Sequence, residues 1–221
     1  MSYPEEYKVP QLAPEDYENY WREDVQATGK PKQYTLLIDL DKCIGCKACQ
    51  VACKIENDVD NGVFWTQVQS MGPVGEFPNL DYFYFPKQCQ HCADPLCVTV
   101  CPTKATYKTD DGIVLVDKDL CFGCQYCIWA CPYGVRTKNP NTGMVEKCVL
   151  CAHRDHEHGE MPACVVSCEG NCRYFGDINN PNTQIAKYYA AHADRAMKVH
   201  DQFGTKPSVI YLKPRKGASK L

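Results

Sequence analysis

The spacing of the cysteines constrains this chain more than any other feature of its sequence. Sixteen of its seventeen cysteines form four groups of four, and no two neighbouring groups share one spacing. The spacings are C-x2-C-x2-C-x3-C in the first and third groups, C-x2-C-x4-C-x3-C in the second, and C-x2-C-x12-C-x3-C in the fourth. The groups are Cys43, Cys46, Cys49 and Cys53; Cys89, Cys92, Cys97 and Cys101; Cys121, Cys124, Cys127 and Cys131; and Cys148, Cys151, Cys164 and Cys168. A repeated ligand set predicts a repeated architecture.

This spacing is typical of cubane iron–sulfur clusters. Three cysteines in C-x2-C-x2-C can hold three corners of one cluster, and the cysteine three residues further on reaches a neighbouring cluster. Zinc sites instead join two C-x2-C pairs and close with four ligands. Disulfide frameworks belong to small secreted chains, whereas this chain has 221 residues and an odd number of cysteines. We therefore expect clusters, with Gly45 and Gly123 allowing backbone amides to approach the sulfur atoms.

The seventeenth cysteine, Cys172, is outside this pattern. It lies four residues after Cys168 and could exchange roles with it, but the three-residue spacing from Cys164 favours Cys168 as the ligand. We expect Cys172 to be a free, buried thiol, because unpaired cysteines usually pack as small apolar side chains.

The histidines are weaker candidates for metal binding. His153, His156 and His158 lie in a polar stretch between Cys151 and Cys164, which is typical of a solvated loop. His91 lies between two cysteines of the second group, so we expect it beside a cluster, where it affects the electrostatics without being a ligand.

The secondary structure signals are short and lie between the cysteine groups. Apolar runs predict strands at residues 34–40 and 81–85, and hairpins at 105–117 and 135–146, the first of them around Asp111-Gly112. Residues 46–54 and 124–131 favour single helical turns. One long helix is predicted over residues 182–204, capped by Asn182 or Thr183 and ended by Gly204.

Composition and motifs exclude several classes of function. The net charge of −3 gives no basic surface for nucleic acid, and no G-x-G-x-x-G, P-loop or G-x-S-x-G motif is present. We recognise no signal peptide and no apolar run of the roughly 20 residues that a transmembrane helix needs. We therefore expect a non-catalytic electron carrier without direct membrane insertion. It would be cytoplasmic by default, or exported or membrane-associated through a partner.

The four groups, in this order and with these spacings, resemble the four-cluster iron–sulfur subunit of dimethyl-sulfoxide-reductase-type molybdopterin oxidoreductases. The likeness runs from about residue 34 to residue 212. It includes CIGCKACQVAC, CQHCADPLCVTVCP, CFGCQYCIWACPYG, RYFGDIN and PSVIYL. Glu169 and Cys172 depart from the family pattern, which often has Pro and Ala there, and a carboxylate at Glu169 would lower the potential of the nearby cluster.

The resemblance implies four [4Fe–4S] clusters with crossed ligation. Some relatives carry an aromatic residue in place of Cys124 and a three-iron cluster, which is not expected here. The implied ligand sets are set 1, Cys43, Cys46, Cys49 and Cys168; set 2, Cys53, Cys148, Cys151 and Cys164; set 3, Cys89, Cys92, Cys97 and Cys131; and set 4, Cys101, Cys121, Cys124 and Cys127.

The expected fold class is α+β, with two pseudo-symmetric ferredoxin-like domains. Residues 1–33 are an extended N-terminal arm, 34–80 with 144–181 form a discontinuous first domain, 81–143 form the inserted second domain, and 182–221 form a C-terminal helix and tail.

The expected partners are a molybdopterin (Mo or W) catalytic subunit and a quinone-linked membrane subunit or a soluble carrier. Three alternatives remain open at this point. They are the electron-transfer subunit of a hydrogenase or formate-oxidising complex, a stand-alone polyferredoxin, and a zinc-binding scaffold.

Overall fold

A four-stranded sheet forms the centre of the molecule, which is represented by a computed structural model describing residues 31–214. Its middle strand β1, Tyr34–Asp39, is buried at every position, as the predicted strand at residues 34–40 requires. The strand order is β8-β1-β10-β9, with β1 antiparallel to β8 and parallel to β10. The other strands are β8, Arg173–Asp177, β9, Ala196–Met197, and β10, Ile210–Leu212. Strands β8 and β10, which lie in the RYFGDIN and PSVIYL stretches of the family likeness, thus flank β1.

A long hairpin is the largest element that the sequence did not predict in full. Strand β2, Thr66–Glu76, pairs antiparallel with β3, Asn79–Gln88, with a register shift between Met71 and Val74. The predicted strand at residues 81–85 is confirmed but is only the middle of β3. The glycines and proline of β2 obscure the strand signal, because these residues normally weaken or interrupt a strand.

Two short hairpins follow the second and third cysteine groups, and both were predicted. Strands β4, Thr106–Lys108, and β5, Val114–Val116, form the first hairpin. Strands β6, Thr137–Lys138, and β7, Val145–Glu146, form the second.

Four of the five α-helices between residues 31 and 214 carry the third cysteine of a group. Helix α1 is Ala48–Glu56, α2 is Leu96–Thr99, α3 is Tyr126–Trp129 and α4 is Ala163–Val166. In space α1 packs against α4, and α2 packs against α3. The first and fourth groups are therefore neighbours, as are the second and third. Helix α1 runs for nine residues, longer than the single turn expected.

The predicted long helix at residues 182–204 is wrong in its extent. Helix α5, Gln184–Ala191, is capped by Thr183, whose side chain accepts a hydrogen bond from the Ala186 amide. After it the chain forms two 3-10 turns and strand β9, and Gly204 ends the second of these turns. Arg195 explains the change. It binds the carboxylates of Asp39 and Asp41 and the carbonyl of Lys213, and these tertiary contacts outweigh helix propensity.

The predicted N-terminal arm at residues 1–33 falls almost entirely outside the described residues, as does the tail at 215–221. Between residues 31 and 214, no helix has both the length and the apolar character needed to cross a bilayer.

Candidate functional site

The backbone follows the same course at the start of all four cysteine groups. The residue two positions after the first cysteine has a positive φ in each group, and these residues are Gly45, His91, Gly123 and Leu150. The left-handed turn folds the chain tightly between consecutive cysteines. At Gly45 the backbone also donates a hydrogen bond to the Cys43 sulfur. An amide near a sulfur atom was expected there.

Glycine is required at two of these turns by close contacts as well as by φ. A Cβ on Gly45 would lie 2.4 Å from the Tyr84 ring, and a Cβ on Gly123 would lie 2.2 Å from the Gly143 carbonyl oxygen. Both distances are well below van der Waals contact, so a side chain at Gly45 would displace the Tyr84 ring and one at Gly123 would displace the loop.

A cavity that is partly open to solvent is lined by all the cysteines of set 1. Three of its thiols come from the loop before α1 and from α1 itself, and Cys168 comes from the fourth group, more than a hundred residues later. Arg173, Val68 and Pro86 also line the cavity, which is therefore enclosed partly by apolar groups and partly by a cation.

A second cavity, also partly open to solvent, is lined by all the cysteines of set 4. Here Cys101 of the second group joins three cysteines of the third group. The Thr106 amide donates to the Cys101 sulfur over 3.4 Å, which holds that thiol against hairpin β4–β5.

Two of the thiols of set 2 lie beside Asn57. Its side-chain amide lies 3.7 Å from the Cys53 sulfur and 3.8 Å from the Cys151 sulfur, although these cysteines belong to different groups. Burial raises the pKa of Cys53 to about 12, and the neighbouring thiols of Cys164 and Cys151 contribute to this rise. Burial also raises the pKa of Cys148, with Cys53 and Cys164 beside it.

The thiols of set 3 lie close to several basic side chains. Burial opposes ionisation of Cys89, but His91, Lys147 and Arg136 together lower its pKa to about 5. Burial raises the pKa of Cys97, which has Cys89 and Cys131 as neighbours, and raises the pKa of Cys92 to about 11. Lone thiols with a raised pKa would mostly stay protonated, whereas iron binds the thiolate form.

The residues present fit an anionic iron–sulfur cluster. Besides the sets of four thiols, the interior contains donors that lack an acceptor among residues 31–214. These donors are Arg136 Nη2, Arg173 Nε and His91 Nε2. A buried donor normally has a partner, and cluster sulfur atoms can accept its hydrogen bond.

Cys172 is buried, as predicted, but it does not simply pack in the core. It lines the set 1 cavity, and its sulfur lies 3.4 Å from the Cys168 sulfur. Hydrogen bonding to Cys172 lowers the pKa of Cys168 to about 6 and that of Cys43 to about 7. The Cys172 thiol is therefore within hydrogen-bonding range of two sulfur atoms of set 1, and its single proton can be donated to either of them.

The loop that contains His153, His156 and His158 is joined to helix α1 by side-chain contacts. His153 and Arg154 both contact the Glu56 carboxylate, at 2.7 Å and 2.6 Å. His156 contacts the carbonyl oxygens of Leu150 and Glu160. The side chain of Glu169 is exposed. Water therefore screens the carboxylate that was expected to lower the potential of a nearby cluster.

Comparison with known proteins gives the same family as the cysteine spacing. A model described as a 4Fe-4S dicluster domain matches residues 80–178, and another with the same description matches residues 42–105. The chain is 45% identical to a subunit of tetrathionate reductase from Salmonella typhimurium over 190 residues, covering 83% of this chain and 74% of that protein. It is 39% identical to a polysulfide reductase chain of Wolinella succinogenes over 188 residues, covering 84% and 97%.

A third relative is a subunit of sulfite dehydrogenase from Allochromatium vinosum. It is 40% identical over 205 residues, covering 83% of this chain and 84% of that protein. The chain belongs to the iron–sulfur electron-transfer subunits of molybdopterin oxidoreductases. As an iron–sulfur electron-transfer subunit it carries [4Fe–4S] clusters, and its relatives are subunits of larger reductase or dehydrogenase complexes.

Sequence reasoning missed the buried cations of this iron–sulfur subunit. Arg136, Lys147 and Arg173 are each at most 4% exposed. In the sequence each of them looks like an ordinary charged residue next to a strand. The only signal was position, because Lys147 precedes Cys148 and Arg173 follows Cys172 directly.

Proposed function

We propose that this subunit holds four [4Fe–4S] clusters on the sixteen cysteines, with three ligands of each set from one group and the fourth from another. Sets 1 to 4 as predicted from the family likeness are the proposed ligands. The proposal is supported above all by the set 4 cavity, where Cys101 faces the three cysteines of the third group. It is supported for set 2 by the hydrogen bonds from Asn57 to Cys53 and Cys151.

We further propose that the clusters form an electron relay between a molybdenum or tungsten pterin catalytic subunit and a quinone-linked membrane subunit or a soluble carrier. When bound, each cluster accepts and releases one electron at a potential set by its surroundings. The chain itself fixes the positions of the thiolates, donates hydrogen bonds to some of them, and partly or fully buries every one except Cys46. The names of the relatives, each a component of a reductase or dehydrogenase, support a catalytic partner.

We also propose the two-domain organisation that the sequence predicts. Residues 34–80 with 144–181 and residues 81–143 are proposed as two ferredoxin-like units. The packing of α1 on α4 and of α2 on α3 supports this division, because each pair brings together the helices of one proposed unit.

The first experiment is metal analysis of the complex purified anaerobically from its natural source. We expect about sixteen Fe per copy of this chain, with Mo or W in a co-purifying subunit. Variants that replace one cysteine in each set by serine should each change one cluster only. Iron without Mo or W would remove the pterin partner from the proposal, and zinc in place of iron would contradict all of it.

A further inference from the structure

Three buried cations of this protein have no carboxylate partner among residues 31–214. Arg136 and Arg173 are 4% exposed and Lys147 is 1% exposed, and none of them forms an ion pair with a described Asp or Glu. An unpaired positive charge in a protein interior strongly destabilises the fold unless an anionic group lies close by. Cysteine thiols are neighbours of all three cations, and they become thiolates when they bind iron.

Arg173 lies between set 1 and set 2. Its Nη2 atom is 3.5 Å from the Cys49 sulfur of set 1, and Nη1 is held 3.1 Å from the Gln88 side chain. Cys164 of set 2 is the other neighbouring thiol, and it raises the pKa of the guanidinium together with Cys49 against the effect of burial.

Lys147 lies between set 2 and set 3. Its ammonium donates to the carbonyl of Cys148, a set 2 residue, over 2.9 Å, and to the carbonyl of Val114. The Val114 amide in turn donates to His91 Nδ1 over 3.0 Å, next to set 3. Burial lowers the pKa of Lys147, and the neighbouring Cys89 of set 3 opposes this effect by favouring the charged ammonium.

Arg136 lies between set 3 and set 4. Its Nη1 atom is 3.3 Å from the Thr106 hydroxyl, and the Thr106 amide donates to the Cys101 sulfur of set 4. Cys127 of set 4 and Cys97 of set 3 both neighbour its guanidinium, and Nη2 is buried without an acceptor in the described part of the chain.

We propose that Arg173, Lys147 and Arg136 are positioning charges at the three successive junctions of a linear relay, between sets 1 and 2, sets 2 and 3, and sets 3 and 4. The inference rests on the proposed function above. A [4Fe–4S]²⁺ core with four thiolates carries about two negative charges, and each added electron increases the repulsion between neighbouring clusters. A cation fixed at a junction offsets this repulsion and raises the reduction potentials of the two clusters that it separates.

The test is a redox titration of the intact complex, followed by electron paramagnetic resonance. Lys147→Gln removes the charge but keeps a donor for the two carbonyl oxygens. We expect the equilibrium constants for reduction of the set 2 and set 3 clusters to fall about tenfold, which lowers their potentials by about 59 mV for a one-electron couple. The shift in sets 1 and 4 should be much smaller. Arg173→Gln should lower sets 1 and 2 in the same way, and Arg136→Gln should lower sets 3 and 4.

Two controls separate charge from structure. Lys147→Arg keeps the cation and should leave the set 2 and set 3 potentials close to those of the native protein. Lys187→Gln removes an exposed lysine of α5 and should shift no cluster. One cysteine-to-serine variant in each set assigns the four signals.

The outcomes distinguish this inference from the proposed function. Native protein with fewer than four clusters would contradict the proposed function itself. If the native protein has four clusters but the glutamine variants leave all the potentials unchanged or shift them equally, the inference alone is overturned. Loss of all clusters from both Lys147→Gln and Lys147→Arg would also overturn it, because it would give Lys147 a purely structural role.

Discussion

The sulfur atoms of Cys168 and Cys172 lie 3.4 Å apart, so the ligand proposed for set 1 and the thiol outside the four groups are in direct contact. The Cys172 amide also donates to the Cys168 sulfur over 3.3 Å. The Cys168 sulfur thus accepts a hydrogen bond from the Cys172 amide and lies within hydrogen-bonding range of its thiol, which is the arrangement expected for a thiolate ligand and its donor.

Replacing Cys172 should change the potential of one cluster without removing it. In Cys172→Ala the set 1 cluster loses a hydrogen bond to its thiolates, and its reduction equilibrium should fall about tenfold, or about 59 mV. Cys172→Ser keeps a donor and should stay near the native potential. Redox titration with iron analysis checks both variants. A loss of iron from Cys172→Ala would instead identify Cys172 as a ligand.

The glycine at the third cysteine group should be essential for one cluster. In Gly123→Ala the new Cβ meets the Gly143 carbonyl, so the loop must move and we expect loss of the set 4 iron, about four of sixteen atoms. Gly62→Ala is the matched control, because Gly62 also has a positive φ but open space around it. It should lower the stability by about 1 kcal/mol and keep all the iron. Equal iron contents in the two variants would contradict the steric argument.

The ion pair between Arg195 and Asp39 should stabilise the C-terminal segment strongly. Asp39 is 2% exposed and accepts from Arg195 at 2.8 Å and from the Tyr188 hydroxyl at 2.7 Å. Arg195→Gln leaves this carboxylate without its cation, and we expect a loss of about 3 kcal/mol in anaerobic denaturant unfolding. Lys187→Gln serves as the exposed control, with little change. If Arg195→Gln changed the free energy of unfolding as little as Lys187→Gln does, the hydrogen bonds to Asp39 would be enough to stabilise its buried carboxylate without the cation.

The contact between Glu56 and Arg154 should hold the loop at residues 152–162 over most of the pH range. Hydrogen bonding to Arg154 and His153 lowers the pKa of Glu56 to about 2, below the 4.5 of an unperturbed carboxyl. The stabilisation is therefore complete above pH 4.5 and is lost as the pH falls towards 2. Glu56→Gln should speed amide hydrogen exchange in this loop several-fold at pH 7, corresponding to about 1 kcal/mol.

The pH dependence provides the control for this prediction. The difference between Glu56→Gln and the native protein should be constant from pH 8 to 5 and should shrink only below 4.5. Glu157→Gln, which removes an exposed pair with Lys32, should have little effect at any pH. A difference that changes between pH 8 and 5 would contradict the assignment of Arg154 as the main partner of Glu56.

The number and type of ligand groups could be predicted from the sequence alone. Iron–sulfur coordination needs cysteines at short, regular intervals, and that requirement is local, so the spacing of Cys43 to Cys53 and of Cys121 to Cys131 carries it directly. The hairpin around Asp111-Gly112 was predictable for the same reason, because a tight turn depends on a few adjacent residues. The family followed from these local patterns taken in order.

The tertiary structure decided what depends on residues far apart in the chain. The helix predicted over residues 182–204 stops after Ala191 because Arg195 meets carboxylates at the end of β1, a contact that no local pattern contains. The burial of Lys147 and Arg173 among thiols and the position of Cys172 beside Cys168 likewise arise only when the first, second and fourth groups pack together. Local spacing determines which atoms can bind iron, whereas packing determines the charges and hydrogen bonds around those atoms.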